Sequence, residues 1–71
     1  MNAMPNTEEV FLLFAISGQK GIVAARVVPC ADVAEAAAVA RGMLRLRPEA
    51  EFVEIRLGGK LVRTVRRTDP A

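Results

Sequence analysis

The 71-residue chain contains no histidine, no tryptophan, no tyrosine and only one cysteine, Cys30. Without histidine it lacks the side chain that most often transfers protons near neutral pH, so we expect a non-enzymatic domain. A single cysteine cannot form an intrachain disulfide and cannot build a zinc site alone, so we expect no metal and no cofactor. Aromatic side chains that could stack on bases are limited to three phenylalanines.

Long apolar runs and strong charge are also missing. No segment approaches the roughly 20 apolar residues of a membrane-spanning helix, so we expect no membrane partner. The N-terminal segment has no basic region before an apolar stretch, which is unlike a secretory signal, and we therefore expect a cytoplasmic protein. The net charge is only +2, and hydrophobic residues make up 52% of the chain, a composition typical of a folded domain.

The segment from Cys30 to Pro48 predicts the one helix of the chain. Asp32 is a favourable N-cap, and Glu35 lies where it can complete a capping box. Pro48 cannot donate a backbone hydrogen bond, so we expect the helix to end near Leu46. A mostly alanine stripe, repeating at helical spacing, predicts a helix packed close to its neighbour. The stripe comprises Val33, Ala36, Ala37, Ala40 and Leu44, with Val39, Met43 and Leu46 beside it.

The remaining sequence predicts four strands, two on each side of the helix. They are residues 9–16, 22–28, 51–57 and 60–67, with hairpin loops at residues 17–21 and 58–59. For the first hairpin we expect Ile16 to pair with Ile22. For the second, the Gly58-Gly59 turn pairs Glu54 with Arg63, although a three-residue turn pairing Leu57 with Leu61 stays open.

The predicted fold class is therefore α+β, with the order ββαββ. We expect one four-stranded antiparallel sheet in the spatial order 2-1-3-4, with the most apolar strand inside and the helix packed on one face. Residues 9–67 form this single domain, between a flexible N-terminal tail of residues 1–8 and a C-terminal tail of residues 68–71.

One helix leaves the opposite sheet face without a cover, and the predicted alternation makes that face largely apolar. A large exposed apolar patch is typical of an interaction surface, and a second copy of the chain is the simplest partner. We therefore expect a homodimer that uses this face. The candidate self-association residues are Val10, Leu12, Phe14, Ile16, Phe52 and Leu61. On the predicted registers Ile22, Val28 and Val65 also lie on this face.

Nucleic-acid binding is the alternative, because basic residues without any acid follow one another from Arg56 to Arg67. A small sheet can present such residues to phosphates and bases. The mild net charge and the lack of tyrosine and tryptophan count against it. The candidate nucleic-acid-binding residues are Arg56, Lys60, Arg63, Arg66 and Arg67.

Overall fold

The computed structural model describes residues 8–68 and has the predicted α+β architecture. Strands β1 (Glu9–Ser17) and β2 (Gly21–Cys30) form one hairpin, α1 (Val33–Leu46) crosses over, and β3 (Phe52–Leu57) and β4 (Lys60–Arg66) form the second hairpin. All strand pairs are antiparallel, in the order β2-β1-β3-β4. Residues 1–7 and 69–71, which are most of the two predicted tails, lie outside the described residues.

The predicted ends of α1 are confirmed. The Asp32 Oδ1 atom accepts a hydrogen bond of 2.9 Å from the Glu35 N–H, and the Glu35 carboxylate accepts one of 2.6 Å from the Ala31 N–H. The two acids thus satisfy two backbone donors at the helix start. At the other end the helix stops at Leu46, and the Arg47 N–H donates to the Met43 carbonyl.

The core lies between α1 and one face of the sheet. Three alanines of the helix, Ala36, Ala37 and Ala40, have no exposed surface. Because an alanine side chain is short, the helix backbone lies close to the sheet at these positions. The prediction was wrong for Leu46, which is 79% exposed, since it lies beyond the edge of the core in the last turn. The fully buried sheet residues of this face are Phe11, Leu13, Ala15, Val53, Ile55 and Val65.

A bulge in the first hairpin changes the predicted faces of β2. Ile16 pairs with Ile22 as expected, but the register shifts next to it, so that Ala15 pairs with Ala24 and Phe11 pairs with Val28. A shift of one residue moves every later side chain of a strand to the other face. Val28 is therefore buried under α1 instead of lying on the opposite face.

The same shift carries Val27 out of the core. Val27 pairs with Leu12 on the face opposite the helix and is 65% exposed. Strand β2 also continues through Pro29 to Cys30, beyond its predicted end at Val28. Since β2 is an edge strand, a residue without an N–H can be accommodated there.

The second hairpin also contains a bulge. Its two-residue turn is confirmed, because Leu57 pairs with Lys60 across Gly58 and Gly59, both of which have positive φ. The register then shifts between Ile55 and Arg56. The predicted pairing of Glu54 with Arg63 is therefore wrong.

After this shift Glu54 lies opposite Thr64, and Arg63 lies opposite Ile55. Val65 lies opposite Val53 and is fully buried under α1, not on the face where it was expected. Both corrections to the face assignment thus have the same cause, a single extra residue in the outer strand of a hairpin.

Candidate functional site: the open sheet face

The face of the sheet opposite α1 carries no helix or strand from the described residues. We call it the open face. Strand β1 defines it, because its residues alternate between complete burial under α1 and partial exposure on the other side. The registers of the neighbouring strands then place every other residue on the same side. The open face comprises Val10, Leu12, Phe14 and Ile16 of β1, Ile22, Ala25, Val27 and Pro29 of β2, Phe52, Glu54 and Arg56 of β3, and Leu61, Thr64 and Arg66 of β4.

All six candidate self-association residues lie on this face. Val10, Leu12, Phe14 and Ile16 follow one another along β1. Phe52 lies opposite Ile16, and Leu61 lies opposite Arg56 at the other end of β3. Because β1 is an inner strand, its four residues occupy the middle of the face, and Phe52 and Leu61 extend the set toward the second hairpin.

The two hairpins give the open face an apolar half and a charged half. The apolar half consists of β1 and β2 and has no polar side chain among its eight residues. Three of its residues are well exposed: Val10 is 58% exposed, Ile22 61% and Val27 65%. An uninterrupted apolar surface on two adjacent strands is uncommon where it faces only water.

The charged half consists of β3 and β4. An ion pair lies on β3, where the Arg56 Nη2 atom is 3.1 Å from the Glu54 Oε1 atom. The Arg66 guanidinium lies 5.1 Å from the centre of the Phe52 ring, a cation–π arrangement. Glu54 and Arg56 are only partly exposed, so these charges are already paired within one chain at a partly dehydrated surface.

The five basic residues of the candidate nucleic-acid surface do not share one face. Arg56 and Arg66 lie on the open face, whereas Arg63 lies opposite Ile55 on the side of the helix, and Lys60 follows the Gly58-Gly59 turn. The sequence places these residues close together along the chain, but strand alternation and the bulge distribute them over both sides of the second hairpin.

Arg67 bonds to the end of the helix. Its guanidinium donates to four backbone carbonyls, at 2.9 Å to Leu44, 3.1 Å to Arg47, 3.5 Å to Pro48 and 2.6 Å to Ala50. The Leu44 carbonyl is one of the last carbonyls of α1, which have no partner within the helix, and the other three belong to the loop that follows. A planar guanidinium has enough donors to bond to all four. Arg67 thus acts as a C-terminal cap. A basic residue at a strand end gives no sequence signal for this contact.

Cys30 is a buried free cysteine of the core. Its side chain is buried at the end of β2, beside the start of α1. Burial raises the pKa of the Cys30 thiol, and the nearby carboxylates of Glu35, Glu8 and Asp32 raise it further. A raised pKa keeps the thiol protonated, and a protonated thiol is a weak nucleophile.

A second surface feature lies beside the edge strand β2. It is a shallow depression between β2 and the last turn of α1, lined by Ala24, Ala25, Arg26, Met43, Leu46 and Arg47.

Within residues 8–68, no helix is long and apolar enough to cross a membrane. The same part of the chain holds no group of three or more cysteine, aspartate or glutamate side chains placed to bind a metal ion.

Comparison with models of known protein families gives no match for this chain, and comparisons with curated proteins and with solved structures give none either.

Proposed function

We propose that this chain is a homodimeric interaction module and that the open face is its self-association surface. The observation that carries the proposal is the uninterrupted apolar half of that face, formed by β1 and β2. Burying such a surface contributes about 25 cal/mol for each Å² of apolar area removed from water. A second copy offers an equally apolar surface of the same shape, and an isologous dimer buries both at once.

The thin core of the monomer supports the same proposal. Alanines form much of the helix side of this core, and a chain of this length buries only about 60% of its unfolded surface. Domains of this size often gain stability from disulfides, metals or oligomerisation. With one cysteine and no histidine in the chain, oligomerisation is the support that this sequence can best supply.

The test is the solution mass of a matched pair of variants, Leu12→Glu and Leu46→Glu. Both place a carboxylate on a leucine position, but Leu12 lies in the centre of the open face and Leu46 lies on the opposite side of the sheet, 79% exposed. We expect a dimer by light scattering for the parent and for Leu46→Glu. Leu12→Glu should be a monomer, or should unfold, because a charge buried in an interface without a partner is strongly destabilising.

An unchanged dimer mass at unchanged stability in Leu12→Glu would contradict the proposal. The same samples, mixed with a short DNA duplex at low salt, test the nucleic-acid alternative. We expect no change of mass with DNA. A monomeric parent that binds the duplex, and that loses this binding when Arg63 and Arg66 are both changed to glutamate, would make the second hairpin the functional surface instead.

A further inference from the structure

We infer that the second copy lies on the open face with its two-fold axis crossing the strands at the level of Leu13. Each strand then stacks on the same strand of the partner, running in the opposite direction. This inference rests on the proposed dimer and adds its geometry: the apolar half covers the apolar half, and the charged half covers the charged half.

The size of the face favours a geometry that uses all four strands. Strand β1 has nine residues, which at about 3.3 Å per residue make the face about 30 Å long. Four strands spaced about 4.8 Å apart make it about 14 Å wide between the outer strands. Because β3 and β4 have only six and seven residues, the flat area is at most about 400 Å², so only an overlap of all four strands approaches the roughly 500 Å² per partner that a specific interface needs at minimum. A dimer that overlaps by only two strands falls well short of this area.

An axis parallel to the strands gives a poorer match. If this axis runs along the middle of the sheet, β1 of one copy lies over β3 of the other, and β2 lies over β4. Leu12 and Phe14 then face the partner's Arg56 and the partner's Glu54, because these residues are level with each other on the paired strands. Such a contact removes water from charged groups and places apolar side chains against them, which is unfavourable.

An axis across the strands removes this conflict. Leu12 lies opposite Arg56 and forms one row across the strands, and Phe14 lies opposite Glu54 and forms a second row. Leu13, the middle residue of β1, lies between these two rows. Rotation about an axis at the level of Leu13 exchanges the two rows. Leu12 then lies over the partner's Phe14, and apolar surface covers apolar surface.

The same rotation makes the Glu54 and Arg56 part of the charged half self-complementary. Glu54 comes to lie over the partner's Arg56, and Arg56 over the partner's Glu54. Each chain already holds an Arg56–Glu54 ion pair at 3.1 Å. The two pairs together form a group of four alternating charges with no net charge, which lowers the cost of burying them.

Crosslinking between single cysteines tests this geometry in the full chain. Cys30→Ala supplies a background without other thiols, after its mass has been checked against the parent. Val27→Cys, Leu61→Cys and Val10→Cys are then treated separately with a short bismaleimide reagent. Val27 on β2 and Leu61 on β4 are both level with Leu12, one residue from the axis, so their two copies are offset by only about 7 Å along the strands. Val10 is three residues from the axis, and its copies are offset by about 20 Å.

We expect crosslinked dimer as the main product for Val27→Cys and Leu61→Cys, and no more than background for Val10→Cys. A dimer in which only Val10→Cys crosslinks has its axis along the strands. A dimer in which only Val27→Cys crosslinks pairs through the β2 edge. A dimer in which all three variants crosslink, or in which none does, does not have its two-fold axis across the strands at the level of Leu13. Each of these results overturns the geometry and leaves the dimer standing, whereas a monomeric parent overturns the proposed function itself.

Discussion

Neighbouring residues of β1 lie in two different environments. Leu13 is fully buried beneath α1, whereas Leu12 is partly exposed on the open face, one position earlier on the same strand. The helix side is closed by alanines, an N-cap and the Arg67 cap, all supplied by the same chain. The open face has an equally apolar central strand but no cover from the described residues. The comparison shows that β1 carries apolar side chains on both faces, whereas α1 covers only one of them.

The largest expected effect is a loss of stability on alanine substitution of Leu12 or Leu13, which are adjacent in sequence but lie on opposite faces of the sheet. Leu13→Ala should lower the free energy of unfolding by about 2–5 kcal/mol, because the cavity it leaves lies in a packed core. Leu12→Ala should lower it by less, and its loss should shrink further at low protein concentration, where the proposed dimer would dissociate. Urea unfolding at two protein concentrations measures both. Equal losses that do not depend on concentration would mean that the two faces do not differ in this way.

The second expected effect is a loss of stability when Arg67, which bonds to the last turn of α1 and the loop after it, is replaced. Arg67→Ala removes one hydrogen bond to the last turn of α1 and three to the loop that follows it, and we expect a loss of about 1–3 kcal/mol. The matched change Arg63→Ala, on the exposed edge strand, should stay within about 0.5 kcal/mol of the parent. Thermal or urea unfolding of the two variants gives the comparison. If both variants were as stable as the parent, the Arg67 contacts would not contribute to the fold.

The smallest expected effect is a dependence of the folding stability on pH that comes from the buried thiol of Cys30. Because the pKa of the Cys30 thiol is raised in the folded state, the unfolded chain loses this proton first as the pH passes the ordinary value of 9.0. The folded state is therefore destabilised progressively above that pH, and no contribution is expected below it. Stability measured from pH 8 to pH 10 should decline less steeply in Cys30→Ala than in the parent. Parallel curves would argue against burial of the thiol.

Helix ends and strand order could be predicted because their signals are local. Asp32, Glu35 and Pro48 mark the ends of α1 through backbone chemistry that acts within a few residues. The apolar character of β1 is enough to place it inside the sheet. The Gly58-Gly59 turn likewise fixes the first pair of the second hairpin. These features depend little on how the rest of the chain packs.

The two bulges could not be predicted, because the affected strands fit either register. Strand β2 contains Val23 next to Ala24 and Val27 next to Val28, so shifting it by one residue exchanges one apolar side chain for another. The core selects the register, since Val28 fills the space beside Phe11 in the observed pairing. The role of Arg67 was missed for a similar reason. Its partners are backbone carbonyls, which leave no trace in the sequence.

The Arg67 cap also has a consequence for the order of folding. The Leu44 carbonyl in the last turn of the helix accepts a hydrogen bond from a residue 23 positions further along the chain. The usual helical donor to the Leu44 carbonyl would be the N–H of residue 48, but Pro48 has none, so until β3 and β4 have paired the last turn of the helix is free to fray. The helix and the second hairpin are therefore expected to become stable together. Closing this long loop before its contacts form costs chain entropy, which slows folding and makes it more cooperative.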